Sequence, residues 1–155
     1  MSQNMRVVVQ RVSQASVSLP EEGDVSGEIG TGLLAMVGLQ QGDTDATIDW
    51  IVDKLVRFRI FPDDQGKMNL CVCEVEDAGV LLIPNFTVGC EIEKGRRPSF
   101  DRAMPPDAAR EKFLSFVEKI KEKVGNVQSG VFGAHMSVHL TNDGPVTFVI
   151  DSQKQ

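Results

Sequence analysis

Only two stretches of this sequence repeat their apolar residues with the period of a helix. Every other apolar stretch is a short run, mostly rich in β-branched residues and bounded by turn-forming residues. That contrast constrains the fold more than any other feature, because period 3.6 and period 2 bury different faces. In "GDTDATIDWIVDKLVRF", Ile48, Ile51, Val52, Leu55 and Phe58 share one helical face. Asp43 or Thr44 suits its N-cap, and the acids at its start suit the helix dipole. In "PPDAAREKFLSFVEKIKEKVG", Pro106 opens a second helix and Phe113, Phe116, Val117, Ile120 and Val124 form its buried stripe, with Gly125 as the stop. Arg6–Val12, Ala15–Leu19 and Leu33–Gly38 read as strands, and "EEGDVSGEIGTG" as a loop or hairpin with a short strand between its turns. "RIFPDDQGKMNLCVCEV" reads as strand, turn and strand, and "GVLLIPNFTV" as a strand with an unusual end. The tail "SGVFGAHMSVHLTNDGPVTFVID" reads as two strands around a turn at Asn142–Pro145. The expected fold is α+β: mostly antiparallel sheets, barrel-like, with two helices packed on the sheet.

At 155 residues the expectation is one domain, 1–155, able to bury roughly two-thirds of its unfolded surface. No apolar run nears the ~20 residues of a membrane span, and "MSQNMRVVVQRV" lacks the apolar core and cleavage site of a signal peptide. A cytoplasmic protein with no membrane partner is expected. The three cysteines, Cys71, Cys73 and Cys90, are an odd set. Cys71 and Cys73 form C-x-C rather than the C-x-x-C of redox or zinc sites, and in a strand their thiols would diverge. A net charge of −6 weighs against gripping nucleic acid through overall charge. Lys94, Arg96, Arg97 and Arg102 in "EKGRRPSFDR" form the one strong local basic cluster.

Familiar catalytic patterns are missing. There is no G-x-S-x-G, no G-x-G-x-x-G after a first strand and no P-loop. His135 and His139 in a strand would share a face about 13 Å apart, too far to hold one metal. Asp43, Asp45, Asp49 and Asp53 read as the cap and solvated face of the first helix, and Asp63 and Asp64 as turn residues. Three stretches remain: "IPNFTVG", "GVFGAHM" and "NDGPVT". Each interrupts or ends a strand with residues that expose main-chain N–H and C=O groups. They read either as plain turns or as a site built of backbone dipoles, able to hold an oxyanion without histidine or metal.

Taken together, these stretches resemble the D-aminoacyl-tRNA deacylase family. The resemblance runs through "MRVVVQRVSQASVSL", "GEIGTGLLAMVGLQQGDT", "KMNL", "KGRRPSF", "GVFGAHM" and "NDGPVTFVIDS", in order and with matching spacing. It implies hydrolysis of the ester between a D-amino acid and the tRNA 3′-terminal adenosine, in some members also of mischarged glycyl-tRNA, with no metal or cofactor. It implies a homodimer with the active site at the subunit interface. There Gly144-Pro145, joined by a cis bond, would enter the partner's site as a wall that an L side chain strikes and a D side chain avoids.

The family's Ser-Gln-Phe-Thr segment is here Pro84-Asn85-Phe86-Thr87. The resemblance implies that Phe86 and Thr87, with Asn85, supply the catalytic contacts. Their N–H groups would face the ester carbonyl, and either the threonine or the RNA's own 2′-hydroxyl would assist. Phe132, Gly133, Ala134 and Met136 would receive the terminal adenosine, and Lys94, Arg96 and Arg97 would meet RNA phosphates. Pro84-Asn85 in place of Ser-Gln is the main departure. It leaves a second reading: a diverged relative that binds charged tRNA without efficient hydrolysis.

Overall fold

The computed structural model describes residues 5–154, so the first four residues of the expected leaderless N-terminus, and the last residue of the expected domain, lie outside the described residues. The chain runs β1 (Arg6–Leu19), β2 (Asp24–Ile29), β3 (Gly32–Gly38), α1 (Asp45–Arg57), β4 (Phe61–Pro62), β5 (Met68–Leu70), β6 (Gly79–Pro84), α2 (Pro106–Lys121), β7 (Asn126–Ser129) and β8 (Ser137–Asp151). Short 3-10 turns stand at Val72–Glu74, Phe86–Gly89 and Ser152–Lys154.

β1 is the spine. One edge pairs antiparallel with β3 over Arg6–Val12 and then with β2 over Ala15–Leu19; the other edge carries β8 along its length. The two segments expected as separate strands are thus one 14-residue strand. Its pairing with β8 slips between Val12 and Gln14. The slip flips the faces, as an extra residue must at period 2: Val7 and Val9 point into the core under the helices, whereas Ala15 and Val17 point into a second core.

β3 pairs parallel with β6, and β6 parallel with β7. Parallel neighbours need a long crossover; α1 lies between β3 and β6 in the chain, and α2 between β6 and β7. β7 was not expected, since "NVQS" has a single apolar residue and its pairing is entirely non-local. Ser26 Oγ of β2 donates to Ser129 O of β7 at 3.4 Å, so the sheet nearly closes on itself. The α+β, barrel-like, mostly antiparallel reading holds, with a parallel centre added.

Because β3 and β6 are covered on both faces, they read as continuous apolar runs. Leu33, Ala35, Val37, Val80 and Leu82 face the helices; Leu34, Leu81 and Ile83 face the barrel interior. Thr44 is the cap of α1: its Oγ1 accepts from Thr47 N at 3.3 Å while Thr47 Oγ1 accepts from Thr44 N at 3.0 Å. Asp43 is instead buried and accepts from Gln40 N at 2.7 Å. Ile48, Ile51, Val52 and Leu55 of α1, and Phe113, Phe116, Val117 and Ile120 of α2, are buried as expected. Gly125 is not the stop: α2 ends at Lys121 with Glu122 as its cap.

Three local expectations change with the register. The second strand of "KMNLCVCEV" ends at Leu70, and Val72–Glu74 coils into a 3-10 turn. Cys71 and Cys73 therefore do not diverge; partial burial, with the Cys71 thiol beside it, pushes the Cys73 thiol up. "GVFGAHM" is a loop rather than a strand, so His135 and His139 share no strand face. His135 reaches across to Glu21 at 2.7 Å. Finally, no hairpin forms at Asn142–Pro145: β8 continues through it as one strand along β1.

Candidate active site

β6 ends at Pro84, and the chain then coils into the Phe86–Gly89 turn beside the end of β3. Asn85 N donates to Val37 O at 2.8 Å, extending the ladder by one bond. The Asn85 side chain caps the turn: its Oδ1 accepts from Thr87 N at 3.1 Å and from the Thr87 hydroxyl. Of the two N–H groups expected to face a carbonyl, that of Thr87 is therefore taken by Asn85. That of Phe86 has no hydrogen-bond partner among the described residues. Arg6 Nη1 reaches Val88 O at 3.5 Å from below, and Arg6 is held by Asp151 at 3.2 Å.

This turn forms one wall of a 530 Å³ cavity. Asn85 and Phe86 face Phe100 and Met104 from the end of the basic loop, Pro105 before α2 and Phe113 from its middle, and Phe132 and Gly133 from the 130–136 loop. The volume is that of a small-ligand site. No Asp, Glu, His, Lys, Arg or Cys lines it. Phe86 is 59% exposed and Phe100 43%, with their rings edge-on at 5.1 Å, so the rim offers bare aromatic surface. Gly133 takes a φ of +78°, a conformation that suits glycine in this loop.

The cavity thus gathers Asn85, Phe86, Phe132 and Gly133, four of the expected site residues. Thr87 joins through Asn85. Ala134 closes the turn of the loop through its N–H to Val131 O at 3.2 Å and does not line the cavity. Met136 packs against the barrel interior. Lys94, Arg96 and Arg97 are exposed on the loop pinned by the Glu91–Ser99 bridge, away from the cavity lining. Among the described residues no three of His, Cys, Asp and Glu converge as a metal site, and no helix is long and apolar enough to cross a membrane.

Gly144 and Pro145 stand elsewhere. Between the pairs Val12–Asn142 and Gln10–Thr147, residues 143–146 of β8 oppose the single Arg11 of β1, so the chain bulges out of the ladder. The Gly144–Pro145 bond is cis, and Gly144 takes a φ of +143°. A Cβ there would come within 2.5 Å of Val146 Cγ2 and 2.7 Å of Val146 N. The Asn142 carboxamide bridges the base of the bulge: it donates to Arg11 O at 3.2 Å and Val146 O at 3.0 Å and accepts from Val146 N at 3.1 Å. Arg11 donates to Asp143 O at 3.2 Å and Ile60 O at 2.7 Å. The base is thus locked while Gly144 and Pro145 are exposed, and neither lines the cavity of its own chain. Sequence reasoning missed Arg11, Asn142 and the Met104–Phe113 wall, because each acts through a partner distant along the chain.

The sequence model of D-Tyr-tRNA(Tyr) deacylase matches residues 8–151. The chain is 49% identical over 151 residues to a D-aminoacyl-tRNA deacylase of Kosmotoga olearia, covering 97% of this chain and 99% of that one. It is 45% identical over 151 residues to a D-aminoacyl-tRNA deacylase of Geobacter sulfurreducens, covering 97% of each. Among solved structures, a c-Myc DNA unwinding element binding protein superposes with a TM-score of 0.87 at 34% identity, over 94% of this chain and 97% of that one. A probable eukaryotic D-amino acid tRNA deacylase superposes with a TM-score of 0.82 at 17% identity, over 96% of this chain and 99% of that one, a likeness of fold. On a match that spans nearly all of its length, the chain belongs to the D-Tyr-tRNA(Tyr) deacylase family.

Proposed function

We propose that this protein hydrolyses the ester of D-aminoacyl-tRNA, releasing the free D-amino acid and tRNA, and so acts in chiral proofreading in the cytoplasm. The observation that carries the reading is a ligand-sized cavity without a titratable lining group, opening beside the unpartnered N–H of Phe86. Ester hydrolysis asks for a donor at the carbonyl oxygen as negative charge develops, and a backbone N–H in an apolar site supplies one. Water adds to the carbonyl carbon, the bond to the ribose oxygen breaks, and that oxygen leaves with a proton. With no acid or base in the lining, the proton relay falls to Thr87 or to the RNA's 2′-hydroxyl. Asn85 orients Thr87 by accepting from both its N–H and its hydroxyl, so the carboxamide here holds the turn. Phe132 and Gly133 receive the terminal adenosine, Ala134 supports their loop, and Met136 anchors it from the barrel side. Lys94, Arg96 and Arg97 meet phosphates farther along the RNA.

In this reading the chain is one domain, 1–155, and works as a homodimer in which Gly144-Pro145 of one subunit enters the other's cavity. The exposed bulge, with its locked base and its place outside its own cavity, supports that exchange. A wall of main-chain atoms rejects an L side chain by contact while reading little of a D one.

Incubation with D- and L-tyrosyl-tRNA, with and without chelator, tests the activity. Loss of the D ester alone, unaffected by chelator, is expected. Binding without turnover, or chelator-sensitive turnover, would refute it. The exchange is tested by sedimentation and by mixing Phe86→Pro, which lacks the N–H and is expected to be inactive, with Gly144→Ala, which is expected to lose discrimination: recovery of D-selective hydrolysis is expected, and a monomeric active enzyme would rule the exchange out.

A further inference from the structure

The cavity explains where a nucleoside goes but not where its phosphate goes. Nothing charged lines it, and an anion drawn into such a space would lose its hydration without a partner. The phosphodiester that links the terminal nucleoside to the preceding nucleotide must therefore stay at the rim. One cation stands there. Arg110, exposed on α2, lays its guanidinium over the face of Phe132, with Cζ 5.2 Å from the ring centroid. Its Nη2 lies 3.7 Å from where a Cβ on Gly133 would be. Phe132, which it touches, and Gly133, which it approaches, both line the cavity.

Other basic side chains on α2 and at the end of the basic loop are paired, Arg102 with Glu91, Lys112 with Asp45 and Lys119 with Asp49, whereas Lys94, Arg96 and Arg97 earlier in that loop carry no ion pair among the described residues but do not line the cavity. Arg110 makes no ion pair among the described residues. Stacking on an aromatic ring fixes the guanidinium plane and leaves its N–H edge free, an arrangement suited to two phosphate oxygens at once. We infer that Arg110 binds the phosphate on the 5′ side of the terminal nucleoside whose ring system enters the cavity, and so sets how deeply the RNA end is seated. The inference rests on the proposed deacylase reading and assigns it one substrate-binding residue.

The test compares three D-tyrosyl esters that differ only in what precedes the ester: adenosine, the dinucleotide cytidylyl-adenosine, and whole tRNA. For Arg110→Ala, the KM for the dinucleotide and tRNA esters is expected to rise roughly 5–10-fold, with hydrolysis of the adenosine ester unchanged. The salt dependence of tRNA binding should weaken by about 0.7 in the log–log slope, and Arg110→Lys should restore that slope. An equal loss on all three esters would mean that Arg110 only steadies Phe132, and no loss on any would mean it touches nothing; either overturns the inference. If the wild-type protein hydrolyses none of them, the deacylase reading fails by itself. The salt slope for uncharged tRNA, wild type against Arg110→Ala, then still decides whether Arg110 meets a phosphate.

Discussion

Two interruptions of the sheet make opposite things of the same material. At Phe86–Gly89 a strand stops, and the turn that follows opens a cavity whose floor is the core itself: Phe113 is buried and also lines it. At Asp143–Val146 a strand does not stop, and the surplus residues are pushed outward as a bulge tied down by Asn142 and Arg11. The first region is a recess joined to the hydrophobic core. The second is a projection held by hydrogen bonds. The two should therefore fail in different ways when cut.

The deepest cut is on the recess side. Phe113→Ala is expected to lower stability by about 3–5 kcal/mol, because it empties core volume as well as cavity wall; chemical denaturation would show it. On the projection side, Asn142→Ala should cost about 1–3 kcal/mol by orphaning the N–H and C=O of the buried Val146. Faster hydrogen exchange at Val146 would locate the damage, and an unchanged exchange rate would break the contrast between the two regions. Gly144→Ala is the sharper probe of the same bulge. A left-handed φ and a contact at 2.5 Å both oppose a side chain there, so discrimination between D- and L-esters should collapse, with a stability loss of about 1–3 kcal/mol. Phe86→Ala should do the reverse: it keeps the N–H but strips the aromatic wall facing Phe100, so the KM for D-esters should rise while stability moves by less than about 0.5 kcal/mol, since the ring is 59% exposed.

The smallest effect concerns pH. The hydrogen bond from His135 holds the Glu21 carboxyl below its ordinary value of 4.5. A depressed carboxylate stabilises the folded state fully above the unfolded value and loses that contribution as pH falls through the folded one. The 130–136 loop should therefore loosen only below about pH 4.5, seen as faster proteolysis or exchange at Phe132. A pH–rate profile set by acid and base groups of the cavity itself should be absent, because none lines it.

Local periodicity by itself determined the two helices, their buried stripes and most strands, because a helix face or a strand face repeats within a few residues. Turn-forming residues marked the stretches around Asn85, Phe132 and Gly144-Pro145 as places where backbone is exposed, and only the family resemblance gave their residues roles. What local periodicity could not determine is pairing. Nothing near Asn142 announces that its carboxamide will meet Arg11, or that β1 will run 14 residues and hold β8 straight through a turn signal. That is why an expected hairpin became a bulge. β7 shows the same limit from the other side: it is a strand only because β6 lies next to it. "GVFGAHM" became a loop because the chain has to leave that edge and cross to β1. Periodicity is carried by neighbours in the chain, whereas register, closure and the joining of Phe86 to Phe132 across one cavity depend on contacts between residues far apart in it, and only the tertiary structure decided those.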